Sequence, residues 1–318
     1  DNLRSQRKTL SNQIGNLMKN GEKMQAEEIK RQVQEINEKL EKNGGLKLSG
    51  RLNSLPLALK TKALKMKIGV FDSGLGGLVI TKAFIESMPQ YDYLYYGDSR
   101  HLPYGEKTSG RILSYTLAAM RRLIARDCKI IIIACNTATA AAVNEIRAAC
   151  PGFIVVGIEP ALKVAADHFP GGRIGVLATE VTLREEKFDT LLHRFDENVT
   201  IYKIPVPGLV ELVEAGKVDT PETEAVLRRA LNPYIGKLDA AVLGCTHYPF
   251  ARAAISRILG KDVVLLDGGE GTARETRRRL EAAGLLENGS GETIICSSSP
   301  DPDMLRLSWE RLNQEDYT

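Results

Sequence analysis

Apolar and polar positions follow three regimes along this chain. Residues 1–42 repeat at helical spacing: Leu3, Leu10, Ile14 and Leu17 precede Asn20-Gly21, and Ile29, Val33, Ile36 and Leu40 follow it. Charged residues fill the other faces and Gly44-Gly45 ends the pattern, so one long helix or a hairpin about Asn20-Gly21 is expected. Residues 43–65 keep no period and read as a linker. From Met66 onward, short apolar runs alternate with longer helical stretches. Strands are expected at 67–71, 93–96, 129–134 and 154–158, and helices at 79–88, 108–126 and 139–150. This β-α-β-α-β order predicts a parallel sheet covered by helices.

The pattern then returns. Arg173-Ile-Gly-Val-Leu177 repeats Lys67-Ile-Gly-Val-Phe71 at an offset of 106, and Cys245 follows Cys135 by 110. Residues 263–267 match 155–159 at an offset of 108. Three strand ends in one order, at nearly one offset, predict two similar parallel-sheet α/β halves related by a pseudo-two-fold axis, with a shared cleft between them. The expected boundaries are a helical extension and linker at 1–65, a first α/β domain from 66–160 plus 268–318, and a second from 161–267.

Composition changes this picture in one place. With 43% hydrophobic and 26% charged residues among 318, the chain is of ordinary globular type. No apolar run nears the roughly 20 residues of a membrane span, and the first twenty residues hold no signal-like apolar core, so a cytoplasmic protein is expected. Of 43 basic and 40 acidic residues, 14 and 7 fall within 1–66, a net of +7; the remaining 29 and 33 give −4. A nucleic-acid partner is therefore not expected for the downstream core.

The candidate chemistry sits at strand ends. Five cysteines (128, 135, 150, 245, 296) form no C-x-x-C pair and predict free thiols rather than a disulfide framework. A buried cysteine is most often a small core hydrophobe. Cys135 and Cys245 stand apart because each ends an apolar strand and is followed by polar groups, Asn136-Thr137 and Thr246-His247. Neither has metal-ligand spacing. Asp72-Ser73-Gly74-Leu75-Gly76-Gly77 follows a strand and opens a helix, which suits capture of a small carboxylate or amino group better than a nucleotide, since Val79 fills the last place of G-x-G-x-x-G. In Leu209-Val-Glu211-Leu-Val-Glu214, one carboxylate is expected to face the cleft.

These motifs carry a resemblance. Phe-Asp-Ser-Gly-Leu-Gly-Gly (71–77), Pro-Tyr-Gly (103–105), Ala-Cys-Asn-Thr-Ala-Thr (134–139), Gly-Ile-Glu-Pro (157–160), Leu-Val-Glu-Ala-Gly (212–216) and Gly-Cys-Thr-His-Tyr-Pro (244–249) are similar to the motifs of glutamate racemases, in family order across about 67–285. The resemblance implies a cofactor-independent racemase interconverting L- and D-glutamate and supplying D-glutamate for peptidoglycan. It implies Cys135 and Cys245 as the catalytic pair, assisted by Asp72, His247 and Glu214. It implies Asp72, Ser73, Pro103, Tyr104, Gly105, Asn136, Thr137, Thr179, Thr182, Thr246 and His247 as substrate-binding positions, with no metal; a homodimer is one possible assembly, and the sequence does not fix the oligomeric state. Aspartate or hydantoin racemases are related alternatives, and a non-catalytic amino-acid-binding protein is a third. Asp267-Gly-Gly-Glu replaces the commoner Asp-Ser-Gly. Residues 1–65 have no counterpart in the family and read as a fusion or a start upstream of Met66. Their first 42 residues resemble the coiled-coil arm of seryl-tRNA synthetases in heptad-like composition, against the plainer reading of a solvated amphipathic extension.

Overall fold

A computed structural model describes residues 67–195, 198–285, 289–299 and 303–314. The chain divides between residues 64 and 65, and everything described belongs to the second part. The expectations for 1–65, including the coiled-coil likeness, lie outside the described residues.

In chain order the first half runs β1 (Lys67–Asp72), α1 (Gly77–Ser87), β2 (Asp92–Gly97), α2 (Ser109–Ile124), β3 (Cys128–Ile133), α3 (Asn136–Ala149) and β4 (Ile154–Gly157). The second runs α4 (Leu162–His168), β5 (Arg173–Ala178), α5 (Glu180–Arg184), α6 (Glu186–Leu192), β6 (Thr200–Pro205), α7 (Leu209–Glu214), α8 (Pro221–Leu231), β7 (Ala240–Leu243), α9 (Arg252–Leu259) and β8 (Val264–Asp267). The chain then continues through α10 (Gly269–Ala282), β9 (Thr293–Ser297) and α11 (Asp303–Gln314). One parallel sheet has the order β4-β3-β1-β2-β9 and the other β8-β7-β5-β6. Over four strands the two orders are the same, so the duplicated pattern is a duplicated topology.

Strand β3 shows why the apolar runs fold this way. Ile130, Ile131, Ile132 and Ile133 are all fully buried. Alternate residues enter different cores: Ile130 and Ile132 pack with Leu78 and Phe84 of α1, while Ile131 and Ile133 pack with Met120 of α2 and Ala142 of α3. Each buried isoleucine contributes about 1.5–3 kcal/mol. The first of these cores continues into the second half through Leu177, Leu243 and Tyr248, so the halves share apolar packing beneath the cleft.

Register corrects one expectation. Ile133 pairs with Gly157 and Leu243 with Asp267, so Asp267 corresponds to Gly157, not Glu159, and the third offset is 110. A two-residue slip leaves every side chain on the same face, so alternation alone does not reveal it. A fourth match, β6 to β2, and the fifth strand β9 complete the sheets and were not expected from the apolar pattern. Helix α3 begins at Asn136 rather than Thr139, which changes the setting of Cys135.

Candidate active site

The carboxyl ends of β1, β3, β5 and β7 bring the candidate residues together. Cys135 ends β3 and is the N-cap of α3: its sulfur accepts from Ala138 N at 3.4 Å, and its thiol lies 3.5 Å from Ser73 Oγ as donor. Burial and the nearby Asp72 carboxylate push this thiol up to about 12, against the opposing effect of its hydrogen bonds with Ser73 and Ala138. The charge on Cys245 also acts on it, so the two sulfurs are within electrostatic reach.

Cys245 ends β7 on the other side and is only 7% exposed. Its sulfur lies 3.8 Å from His247 Nδ1, and His247 Nε2 lies 2.5 Å from Glu214 Oε1. The same Glu214 oxygen accepts from Leu75 N at 2.7 Å, so it joins α7 of the second half to the glycine turn of the first. Burial alone would push the His247 imidazolium down. Cys245 and Glu214, one on each ring nitrogen, outweigh that and hold it well above its ordinary range.

Asp72 is fully buried, and desolvation raises its carboxyl despite the His247 charge and the hydrogen bonds that oppose it. Its Oδ1 accepts from Gly74 N at 2.9 Å and its Oδ2 from Thr246 Oγ1 at 3.0 Å. The glycine turn is thus spent on the protein itself: the amides of Gly74 and Leu75 go to Asp72 and Glu214, not to a free anion-binding cradle. Its glycines serve close approach. A Cβ on Gly76 would stand 2.6 Å from Thr246 Oγ1 and 2.7 Å from the Thr246 carbonyl carbon.

A second cluster closes the cleft between the halves. The hydroxyls of Thr137, Thr179 and Thr182 form a ring, at 3.0 Å (137 to 179), 3.1 Å (137 to 182) and 2.9 Å (179 to 182). Gly105 packs on Thr179, where a Cβ would meet the threonine Cβ at 3.0 Å. Asn136 is buried and its Oδ1 has no partner among the described residues. A pocket partly open to solvent is lined by Asn136 and Thr182 together with Glu159, Lys187 and Arg194; neither Cys135 nor Cys245 is among its lining residues.

In the loop after β2, the Tyr104 hydroxyl donates to Asp98 Oδ2 at 2.8 Å, and the Pro103 carbonyl accepts from Lys107 Nζ at 3.1 Å. Sequence reasoning passed over Asp98, whose signal was its place just after a strand end, and Tyr95, whose hydroxyl donates to the Gly74 carbonyl. Among the described residues, no group of His, Cys, Asp and Glu is placed to share a metal ion, and no helix is long and apolar enough to cross a membrane.

Fold and site define an α/β enzyme in which two facing halves each present a buried thiol. Residues 80–276 match the Asp/Glu/Hydantoin racemase family. A glutamate racemase of Clostridium perfringens is 44% identical over 244 residues, 76% of this chain and 94% of that one. The structure of Thermus thermophilus glutamate racemase in complex with beta-chloro-D-alanine is similar at 36% identity and a TM-score of 0.66, covering 78% of this chain and 93% of that one. That of the Francisella tularensis glutamate racemase in complex with D-glutamate has 29% identity and a TM-score of 0.69, over 79% and 95%. This chain belongs to the Asp/Glu/hydantoin racemase family and is an isomerase.

Proposed function

We propose that the protein interconverts L- and D-glutamate by passing the α-proton between Cys135 and Cys245. The observation that carries this reading is the pair of buried thiols at matched strand ends of opposite halves. Removal of the α-proton by one thiolate leaves the bonding pair on the α-carbon, and a thiol on the opposite face returns a proton to that pair. The product leaves with the protonation of the two sulfurs exchanged, ready for the reverse direction.

The α-carbanion needs stabilisation, and the threonine ring supplies it. These hydroxyls bond to one another, with Thr179 Oγ1 also accepting from Thr182 N at 3.3 Å, and each can turn its proton to a substrate carboxylate as negative charge develops there. Ser73 and Thr246 stand beside the two thiols. The unpaired Asn136 Oδ1 is an acceptor for the substrate ammonium. His247, held protonated by Glu214, exchanges a proton with Cys245, while Asp72 keeps Cys135 in its thiol form when the site is empty. No electron-sink cofactor enters this scheme. Two reduced thiols suit a reducing compartment, the cytoplasm, where D-glutamate would feed peptidoglycan synthesis.

The test is turnover of each enantiomer of glutamate and of aspartate by the purified chain, with α-hydrogen exchange followed in deuterium oxide. Racemisation of glutamate with solvent deuterium in the product supports the reading. Exclusive turnover of aspartate, or tight binding of glutamate without exchange, rejects it.

A further inference from the structure

Around the buried Asp98 and Tyr104 lies a partly buried polar cluster that the scheme above does not use. Asp98, 4% exposed, follows β2. Its Oδ1 accepts from Ser298 Oγ at 2.8 Å and its Oδ2 from the Tyr104 hydroxyl at 2.8 Å. His101 Nδ1 stands 2.9 Å from both carboxylate oxygens, and the His101 ring stacks on Tyr115 at 4.1 Å. The backbone of Asp98 donates to the Asp72 carbonyl at 2.9 Å. Ser298 follows β9; its hydroxyl accepts from Arg100 N at 3.0 Å and its amide donates to the Gly97 carbonyl at 2.9 Å.

We propose that Asp98, fixed by Ser298 and His101, is the positioning residue that sets the height of the Tyr104-Gly105 loop over the substrate. The reading rests on the glutamate reaction proposed above. Two donors from the loop that follows Asp98, His101 and Tyr104, and one from beyond β9, Ser298, converge on one carboxylate, and each such charge-assisted bond is directional. On its other side the loop meets the far half where Gly105 closely contacts Thr179. The position of Gly105 therefore depends on where Asp98 holds Tyr104, and Gly105 meets the threonine ring that receives the substrate. The hydroxyl of Tyr104 does its work on Asp98. The fifth strand, β9, thereby gains a role in the site, because it delivers Ser298.

A positioning role of this kind acts on binding and leaves proton transfer alone. In Asp98→Asn, KM for both glutamate enantiomers should rise about tenfold while kcat changes less than about threefold. The equal free energies of the enantiomers require the loss in kcat/KM to match in both directions. Tyr104→Phe should produce the same KM shift, and the double variant should be no worse than either single one, since both remove one interaction. Ser298→Ala, which keeps the carboxylate, should show a smaller shift of the same kind and decides the matter if Asp98→Asn does not fold. Wild-type protein without glutamate turnover refutes the functional reading itself. Wild-type turnover with KM unchanged in Asp98→Asn or Ser298→Ala, a loss confined to kcat, or additive losses in the double variant each overturn the positioning role.

Discussion

At the end of β3, Cys135 caps a fourteen-residue helix, receives an amide hydrogen and faces Ser73. At the end of β7, Cys245 leads into a short 3-10 turn at Tyr248–Ala251 and faces an imidazole backed by a carboxylate. The strands beneath are equivalent in order and register, so the difference is confined to what surrounds each sulfur. A helix N-terminus favours a thiolate, yet burial and Asp72 outweigh it and Cys135 keeps its proton. In the second half the neighbour of the sulfur is instead the His247 imidazole, which Cys245 and Glu214 hold above its ordinary range against its burial. One scaffold thus gives its two sulfurs opposite electrostatic surroundings, a carboxylate at one and an imidazolium at the other.

The symmetry also breaks at the partners. Position 72 of the first half is Asp and accepts from Thr246, whereas the matching position 178 is Ala and the residue matching Thr246 is Asn136. One cross-cleft hydrogen bond is made by the protein alone. Its mirror position is left open, and the Asn136 oxygen there has no partner among the described residues. Because a buried unpaired acceptor is costly, this opening is the place where a substrate group repays most.

The largest effect should come from removing either sulfur. Cys135→Ser and Cys245→Ser are each expected to lose at least about 10²-fold in racemisation, because a hydroxyl is a far poorer base. Each variant should still exchange the α-hydrogen of one enantiomer, and the favoured enantiomer should differ between them. Near-wild-type racemisation in either variant, or exchange from the same enantiomer in both, would break the comparison. Next is Gly76→Ala. The backbone there is right-handed helical (φ −56°, ψ −38°) and accepts alanine, so the effect comes from collision with Thr246 and with His247 Nδ1, which would stand 2.7 Å from the added Cβ. It should destabilise the fold by about 1–3 kcal/mol and lower turnover through separation of the two thiols, whereas unchanged melting and activity would show that the halves tolerate a wider spacing. Smaller again is Glu214→Gln, which keeps acceptors for Leu75 and His247 but removes the charge. About a tenfold loss in kcat/KM is expected, with slower exchange at the Cys245 face than at the Cys135 face. Equal slowing at both would mean that Glu214 serves closure rather than His247.

Much of this arrangement was legible in the sequence, for a physical reason. Buried parallel strands are continuous apolar runs, so β1, β3, β4, β5, β7 and β8 stand out, and the residues after them are necessarily at the cleft. Strand β6, Thr-Ile-Tyr-Lys-Ile-Pro, mixes polar with apolar residues at a sheet edge and gives no such run. Contacts across the cleft were not legible at all. Nothing in spacing says that Thr137 meets Thr179 and Thr182, or that the glycine turn is shaped by Glu214 and Thr246. The same limit hid Ser298, which reaches Asp98 from 200 residues along the chain.

The smallest expected effect is in alkaline stability. Cys128 and Cys135, both in the first half, are each raised from an ordinary 9.0 to about 12, chiefly by burial. A thiol whose folded value lies above its unfolded value binds its proton more tightly in the native state. Its stabilising contribution is therefore complete below about pH 9 and is lost as the pH climbs from there towards 12. At pH 10, one unit above the unfolded value, each thiol should already have cost about 1 kcal/mol. Cys128 lies against Gly69 at the far end of the sheet from the cleft, so it tests the effect without touching the chemistry. Cys128→Ser should be less stable than wild type at pH 7 through lost packing, yet lose about 1 kcal/mol less between pH 8 and pH 10 in denaturant titrations. A variant whose stability falls in parallel with wild type over that range would show that burial of Cys128 does not hold its proton.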